Sequence, residues 1–245
     1  MKRIMLTVAY DGTDYHGWQY QPGMATIEGE LNHHLSQLLQ EEITVIGASR
    51  TDTGVHGLCN LAVFDTRTQI PPEKLSYALN RRLPEEIRIR CSREVDMDFH
   101  PRKCSSRKTY EYRIWNDGFE NPLLRRYAHF TYQTLDVEKM KEAAACLIGE
   151  HDFASFCAAG STARTTVRTI YDLQVERQGK LIVIRVTGNG FLYNMVRIIA
   201  GTLMEVGRGR REPRWVEEVL QDRDRTAAGP TAPAKGLVLK KYEFT

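Results

Sequence analysis

Residues 2–10 alternate apolar and polar side chains and run into the turn-rich Asp11, Gly12, Thr13 and Asp14, which predicts a first strand ending in a loop. The period then changes. Ile27, Leu31, Leu35, Leu38 and Leu39 recur at helical spacing, Thr26 stands where an N-cap would, and Glu28 lies in the first turn. Residues 26–39 therefore predict an amphipathic helix. Residues 43–48 and 61–64 read as strands around a Gly-containing loop, 72–83 as a helix opened by proline, and 87–95 as another strand.

The second half repeats the mixture. Residues 108–115 put Tyr110, Tyr112 and Ile114 on one face of a strand, alternating with Glu111 and Arg113. A helix is expected over 137–147, then paired strands at 170–177 and 181–187 joined by a turn at Gln178 and Gly179. A long apolar helix over 193–206, another over 213–220 and a final strand at 237–244 complete the series. Antiparallel hairpins interleaved with helices argue for an α+β protein of two similarly built halves joined near residues 102–107, although no residue-level repeat links them.

Composition places the chain among ordinary globular proteins: of 245 residues, 42% are hydrophobic and 27% charged. The opening MKRIMLTVAYDG is too short and too interrupted for a signal peptide, and no run approaches the length of a membrane span, so a cytoplasmic, non-membrane protein is expected. Cys59, Cys91, Cys104, Cys146 and Cys157 are odd in number and scattered, which suits reduced thiols better than disulfides or zinc ligands. A net charge of +3 does not by itself announce a nucleic-acid partner. The distribution is more suggestive, with basic residues gathered at Arg81, Arg82, Arg88, Arg90 and Arg93, at Arg102, Lys103, Arg107 and Lys108, and at Arg208, Arg210, Arg211 and Arg214. Any one cluster alone reads as a solvated face, and several together favour a polyanion.

The segment Ser49, Arg50, Thr51, Asp52, Thr53, Gly54, Val55, His56, Gly57 lies between two predicted strands and is polar where the chain turns. Arg50 and His56 stand close enough in sequence to keep the Asp52 carboxylate ionised, as a nucleophile or base requires. An Asx-turn before Gly54 would use the same residues, and spacing does not decide between the two. Metalloprotease, P-loop, nucleophile-elbow and dinucleotide motifs are missing, and His33 with His34 sits within an amphipathic helix rather than in a ligand pattern, so no metal or cofactor is expected. Tyr110 and Tyr112 among Arg107 and Lys108 give the mixture of rings and cations that receives unpaired bases, although on these residues alone tyrosines in the sheet core are the stronger reading.

Read together, these blocks resemble the tRNA pseudouridine synthase A (TruA) family over nearly the whole chain. Tyr10, Asp11, Gly12 with Gly17, Trp18, Gln19 match its opening, and residues 50–56 match its catalytic loop. Phe99, His100, Pro101, Arg102 with Lys108, Thr109, Tyr110, Glu111, Tyr112 follow, then residues 149–156 with Arg168, Thr169, Ile170, then residues 189–197, and last Pro230, Ala232, Pro233, Ala234, Gly236, Leu237. The resemblance implies a pseudouridine synthase fold: two α/β halves with antiparallel mixed sheets meeting at a central basic cleft. One domain, 1–104, would carry the Asp loop, and the other, 105–245, the stacking tyrosine and the paired arginine.

It implies Asp52 as catalytic nucleophile, Tyr110 as the ring stacking on the target base, and Arg197 as the cation paired with Asp52. Arg50 belongs to the same loop, and His56, Arg208, Arg210 and Arg211 are candidates for binding the substrate. Further implications are a homodimer isomerising uridine to pseudouridine in the tRNA anticodon stem-loop, at positions 38, 39 and 40, without cofactor or metal. Two departures flank the loop: Ser49 where the family usually has Gly, and Gly57 where it usually has Ala, and both bear on loop geometry and target choice. A non-catalytic RNA-binding protein and a carboxylate-dependent nucleosidase are the alternatives, the latter releasing free uracil.

Overall fold

A computed structural model describes residues 1–244. The chain separates into two compact units, Met1–Ser105 with Leu239 onward, and Ser106–Val238. In the first unit, β1 (Lys2–Tyr10) runs between β3 (His56–Thr66) and β4 (Ile87–Val95), antiparallel to both. Alternation then divides the apolar side chains. Ile4, Leu6, Val8 and Tyr10 pack with Ile27, Leu31 and Leu35 of α1 (Ile27–Leu39) and with Leu75 and Leu79 of α2 (Leu75–Asn80). Met5, Leu61 and Val63 form a smaller cluster with Tyr242. Tyr242 belongs to the last strand, β10 (Leu237–Phe244), which lies next to β3 and thereby returns the chain to its first unit.

Helix α1 begins as its sequence predicts, with the Thr26 hydroxyl accepting the Gly29 N–H at 3.2 Å. Residues 43–48 depart from expectation, since only β2 (Ile46–Gly47) pairs, against Val63 and Ala62. The preceding amides find partners on α1 instead: Ser36 Oγ accepts from Ile43 and Asn32 Oδ1 from Val45. Helix α2 stops short of Leu83. The Asn80 side chain bonds both backbone groups of Ile89, at 2.8 and 2.7 Å, tying the helix end to the edge strand β4.

In the second unit the order is β5 (Ser106–Asn116), β9 (Leu181–Gly188), β8 (Val167–Gln178), β7 (Gly149–Asp152), antiparallel throughout. A short β6 (His129–Thr131) adds to β5 in parallel. The β8–β9 turn uses Gly179 at φ +62°, the left-handed conformation that glycine tolerates. Helices α3 (Val137–Ala145), α4 (Met195–Gly207) and α5 (Trp215–Asp222) complete the α+β pattern. Every residue of α4 except Arg197 and Glu205 is buried. Residues 229–232 lie tightly along this helix: a Cβ on Gly201 would come within 1.7 Å of the Pro230 carbonyl, and Gly229 donates to Thr202 Oγ1 at 3.0 Å.

Candidate active site

The polar loop that leads into β3 is held by the segment following β1. Trp18 N–H donates to the Thr51 carbonyl at 3.0 Å, Gly54 N–H to the Tyr15 carbonyl at 3.2 Å, and Val55 N–H closes a turn on the Asp52 carbonyl at 3.1 Å. Glycines allow this approach. A Cβ on Gly17, itself at φ +83°, would meet the Thr51 carbonyl oxygen at 2.5 Å, and one on Gly12 would meet that of Val55 at 2.0 Å. Two separate sequence blocks thus form one rigid piece that presents the half-buried Asp52 at its turn. Backbone contacts of this kind cannot give way, so Gly12→Ala should cost about 1–3 kcal/mol and displace the loop. Urea unfolding at the wild-type midpoint would show that the close approach constrains nothing.

Behind the loop, Tyr10 Oη lies 2.9 Å from Thr51 Oγ1 and accepts from Asn60 Nδ2 at 3.4 Å. Burial pushes the Tyr10 phenol up to about 12, with the Thr51 and Asn60 hydrogen bonds pulling the other way, so it stays a neutral hydrogen-bonding group. Asn60 also bonds both backbone groups of Ser49, at 3.2 and 2.9 Å. Nothing in local spacing singles out Asn60; the available signal is a fully buried amide in the otherwise apolar run Leu61 to Phe64 that follows it. Gly57 packs against the Tyr10 ring, where a Cβ would come within 2.6 Å. His56 is buried, its Nδ1 3.1 Å from both Gly12 N and Asp11 Oδ1. A bare Nδ1 accepts from Gly12, whereas a protonated one pairs with Asp11. Arg50 is exposed.

The remaining candidates belong to the second unit. Tyr110 on β5 is 7% exposed and meets Phe191 edge to face, ring centroids 5.2 Å apart. Arg197 is half-buried on α4, with Nε donating to the Ala232 carbonyl and Nη1 to Asn194 Oδ1, both at 2.7 Å. Asn194 stands before the helix at φ +59°. These anchors hold the guanidinium at the helix start rather than leaving it to extend into solvent. The basic run is less uniform than its sequence suggests. Arg208 and Arg210 share Glu205, at 2.6 and 3.1 Å, while Arg211 lies over the Trp215 ring at 5.1 Å. Burial and then the charges of Arg208 and Lys235 push His129 down to about 4, so it is neutral at physiological pH. Among the described residues no group of three His, Cys, Asp or Glu could hold a metal ion, and no helix is long and apolar enough to cross a membrane.

A family model described as tRNA pseudouridine synthase matches residues 6–102 and 143–245. The chain belongs to the tRNA pseudouridine synthase family. Its relatives named tRNA pseudouridine synthase A include one from a Thermoanaerobacter species and one from Acetivibrio thermocellus, 48% and 47% identical over 244 residues and covering 100% of both chains in each case. Another, from Brevibacillus brevis, is 47% identical over 239 residues, 98% of each chain. Among solved structures, the archaeal box H/ACA sRNP Nop10-Cbf5 complex is similar at 13% identity and a TM-score of 0.36, over 92% of this chain and 59% of that one.

Proposed function

We propose that the protein isomerises uridine to pseudouridine in tRNA, within the anticodon stem-loop at positions 38, 39 and 40, with the Asp52 carboxylate as its nucleophile. The observation that carries this reading is the loop itself: a half-buried carboxylate at a turn clamped from both sides, in a chain of this family. The reaction breaks the bond from ribose C1′ to N1 of uracil, turns the base, and joins C1′ to C5. A proton leaves C5 and N1 gains one, so there is no net oxidation and no cofactor is required. Three routes use the same carboxylate: attack on the sugar, addition to the base, or removal of a sugar proton. Tyr110 receives the unstacked base, and Arg197 pairs with Asp52 and keeps it ionised. The reading carries with it a homodimer and a cytoplasmic address.

Transfer RNA tritiated at uridine C5 tests the proposal, because only formation of the C1′–C5 bond releases the label while the base stays in the polymer. Tritium should appear in proportion to pseudouridine. Free uracil would identify a nucleosidase, and binding without release a non-catalytic RNA-binding protein. Sedimentation tests the dimer, and an active monomer would remove it.

The basic run gives a graded expectation. Arg208 already has Glu205 as its partner, whereas among the described residues Arg211 has only a ring. If Arg211 meets phosphate, Arg211→Gln lowers the salt dependence of tRNA binding by about one unit, and Arg208→Gln changes it less. Equal slopes for both variants and wild type would leave the run a solvated face.

A further inference from the structure

The turn after β4 carries an arginine that the chemistry above does not use. Phe99 N–H bonds to the Asp96 carbonyl at 3.0 Å and Lys103 N–H to that of His100 at 2.9 Å. Outside contacts fix the turn as well: Arg3 Nη1 donates to the Phe99 carbonyl and Tyr242 Oη to that of Pro101, both at 2.9 Å. The Phe99 and Phe244 rings pack edge to face at 5.2 Å. From this base Arg102 extends to the Gly47 carbonyl, to which its Nε donates at 2.7 Å. Gly47 lies directly under the Trp18 indole, and the Trp18 backbone N–H bonds the Thr51 carbonyl, so Arg102 is attached to the piece that presents Asp52.

Only Nε is engaged. Both terminal nitrogens of Arg102 remain available, and among the described residues neither Arg102 nor Arg50 has a carboxylate within ion-pair distance. Burial and then the nearby positive charge of Arg50 hold Arg102 below its ordinary pKa, and only Glu28 acts in the opposite sense. A planar fork anchored on its inner edge, with the positive charge of Arg50 near it, makes a site suited to an anion. In an enzyme acting on a polynucleotide, that anion is a backbone phosphodiester.

We propose that Arg102, with Arg50 beside it, binds a phosphate flanking the target uridine and so sets where the nucleotide lies against the catalytic loop. The proposal rests on the function proposed above. Its test uses the full-length enzyme and tRNAs assembled with a neutral methylphosphonate on the 5′ or the 3′ side of the target. Arg102→Gln should raise KM about tenfold with kcat within about twofold, and lower the salt slope by about one unit. One of the two methylphosphonates should impose a similar KM penalty on the wild type and little further penalty on the variant, because both changes remove the same contact. Arg102→Lys should recover part of the loss. It also replaces Arg102→Gln in the comparison if that variant melts early. Inorganic phosphate at millimolar concentration should not reproduce the position dependence.

Unchanged KM and salt slope, or penalties that simply add at both flanking positions, would overturn the proposal. A lower kcat and melting temperature with the methylphosphonate effect intact would also overturn it, leaving Arg102 as a brace for Gly47. Absence of tritium release from the wild type would instead refute the underlying reading.

Discussion

Asp52→Asn is expected to lower single-turnover tritium release by on the order of 10⁴-fold or more, the usual consequence of removing the central group of a catalytic constellation. The substitution keeps the size and planarity of the side chain and removes its charge. The backbone bonds that shape the turn, from Val55, Gly54 and Trp18, involve main-chain atoms and do not depend on that charge. Folding should therefore persist. Affinity for tRNA, which comes mainly from phosphate contacts, should stay within about twofold of the wild type in a filter-binding titration. Binding and turnover thus separate in one variant. Retention of more than about 1% of the wild-type rate would remove Asp52 from the mechanism, and loss of binding in parallel with activity would show that the loop had collapsed.

Arg197→Leu is the second large effect. In a helix otherwise buried except at Glu205, this guanidinium is fixed by two hydrogen bonds of 2.7 Å within its own unit, to Ala232 and Asn194. Under the proposed pairing, its charge favours the ionised form of Asp52. Removing it should raise the Asp52 pKa and, through the lost charge and positioning together, reduce activity roughly 10²- to 10³-fold near neutrality. The sign is fixed. Activity needs the carboxylate ionised, so a higher pKa moves the acidic limb of the rate profile to higher pH, and part of the lost rate returns as pH increases. Arg197→Lys restores the charge but not the planar fork that serves both anchors, and recovers the activity only in part. Loss of the two anchors costs about 1–3 kcal/mol, so melting temperatures must accompany the kinetics. A wild-type rate with an unshifted acidic limb would disprove the pairing.

What could be read from the sequence followed the range of the interaction concerned. Helix α1 was legible because its cap, first turn and apolar stripe are all local, and β4 and β10 because they combine apolar positions with clear turn boundaries. Residues 43–48 misled because the partners of Ile43 and Val45 are side chains on α1 rather than a neighbouring strand. The three residues of β6 carry no period at all, and their parallel partner is set by β5. The same limit applies to the candidate site. Arg197 was conspicuous as a charge among apolar neighbours, whereas the role of Asp52 came from the resemblance, since an Asx-turn has the same local pattern. The Tyr10, Thr51 and Asn60 contacts span 41 and 50 residues, and no local pattern encodes them.

The return of β10 to the first unit has a consequence for how the protein is made. A ribosome releases residues 1–105 early, including β1, β3, β4 and the Asp52 loop, but the strand that lies next to β3 emerges only after the whole of the second unit. Until then the stretch of that β3 edge not covered by β2 stands without its native partner, and the cluster around Leu61 and Val63 lacks Tyr242. An unpaired edge beside exposed apolar side chains is the feature that draws nascent chains into wrong associations. The second unit, continuous in sequence from Ser106 to Val238, has no such wait. Its earlier completion would shorten the effective loop that β10 must close to reach β3. The order of synthesis therefore makes the unit that begins the chain the later of the two to be finished, because its strand beside β3 follows the whole of the second unit.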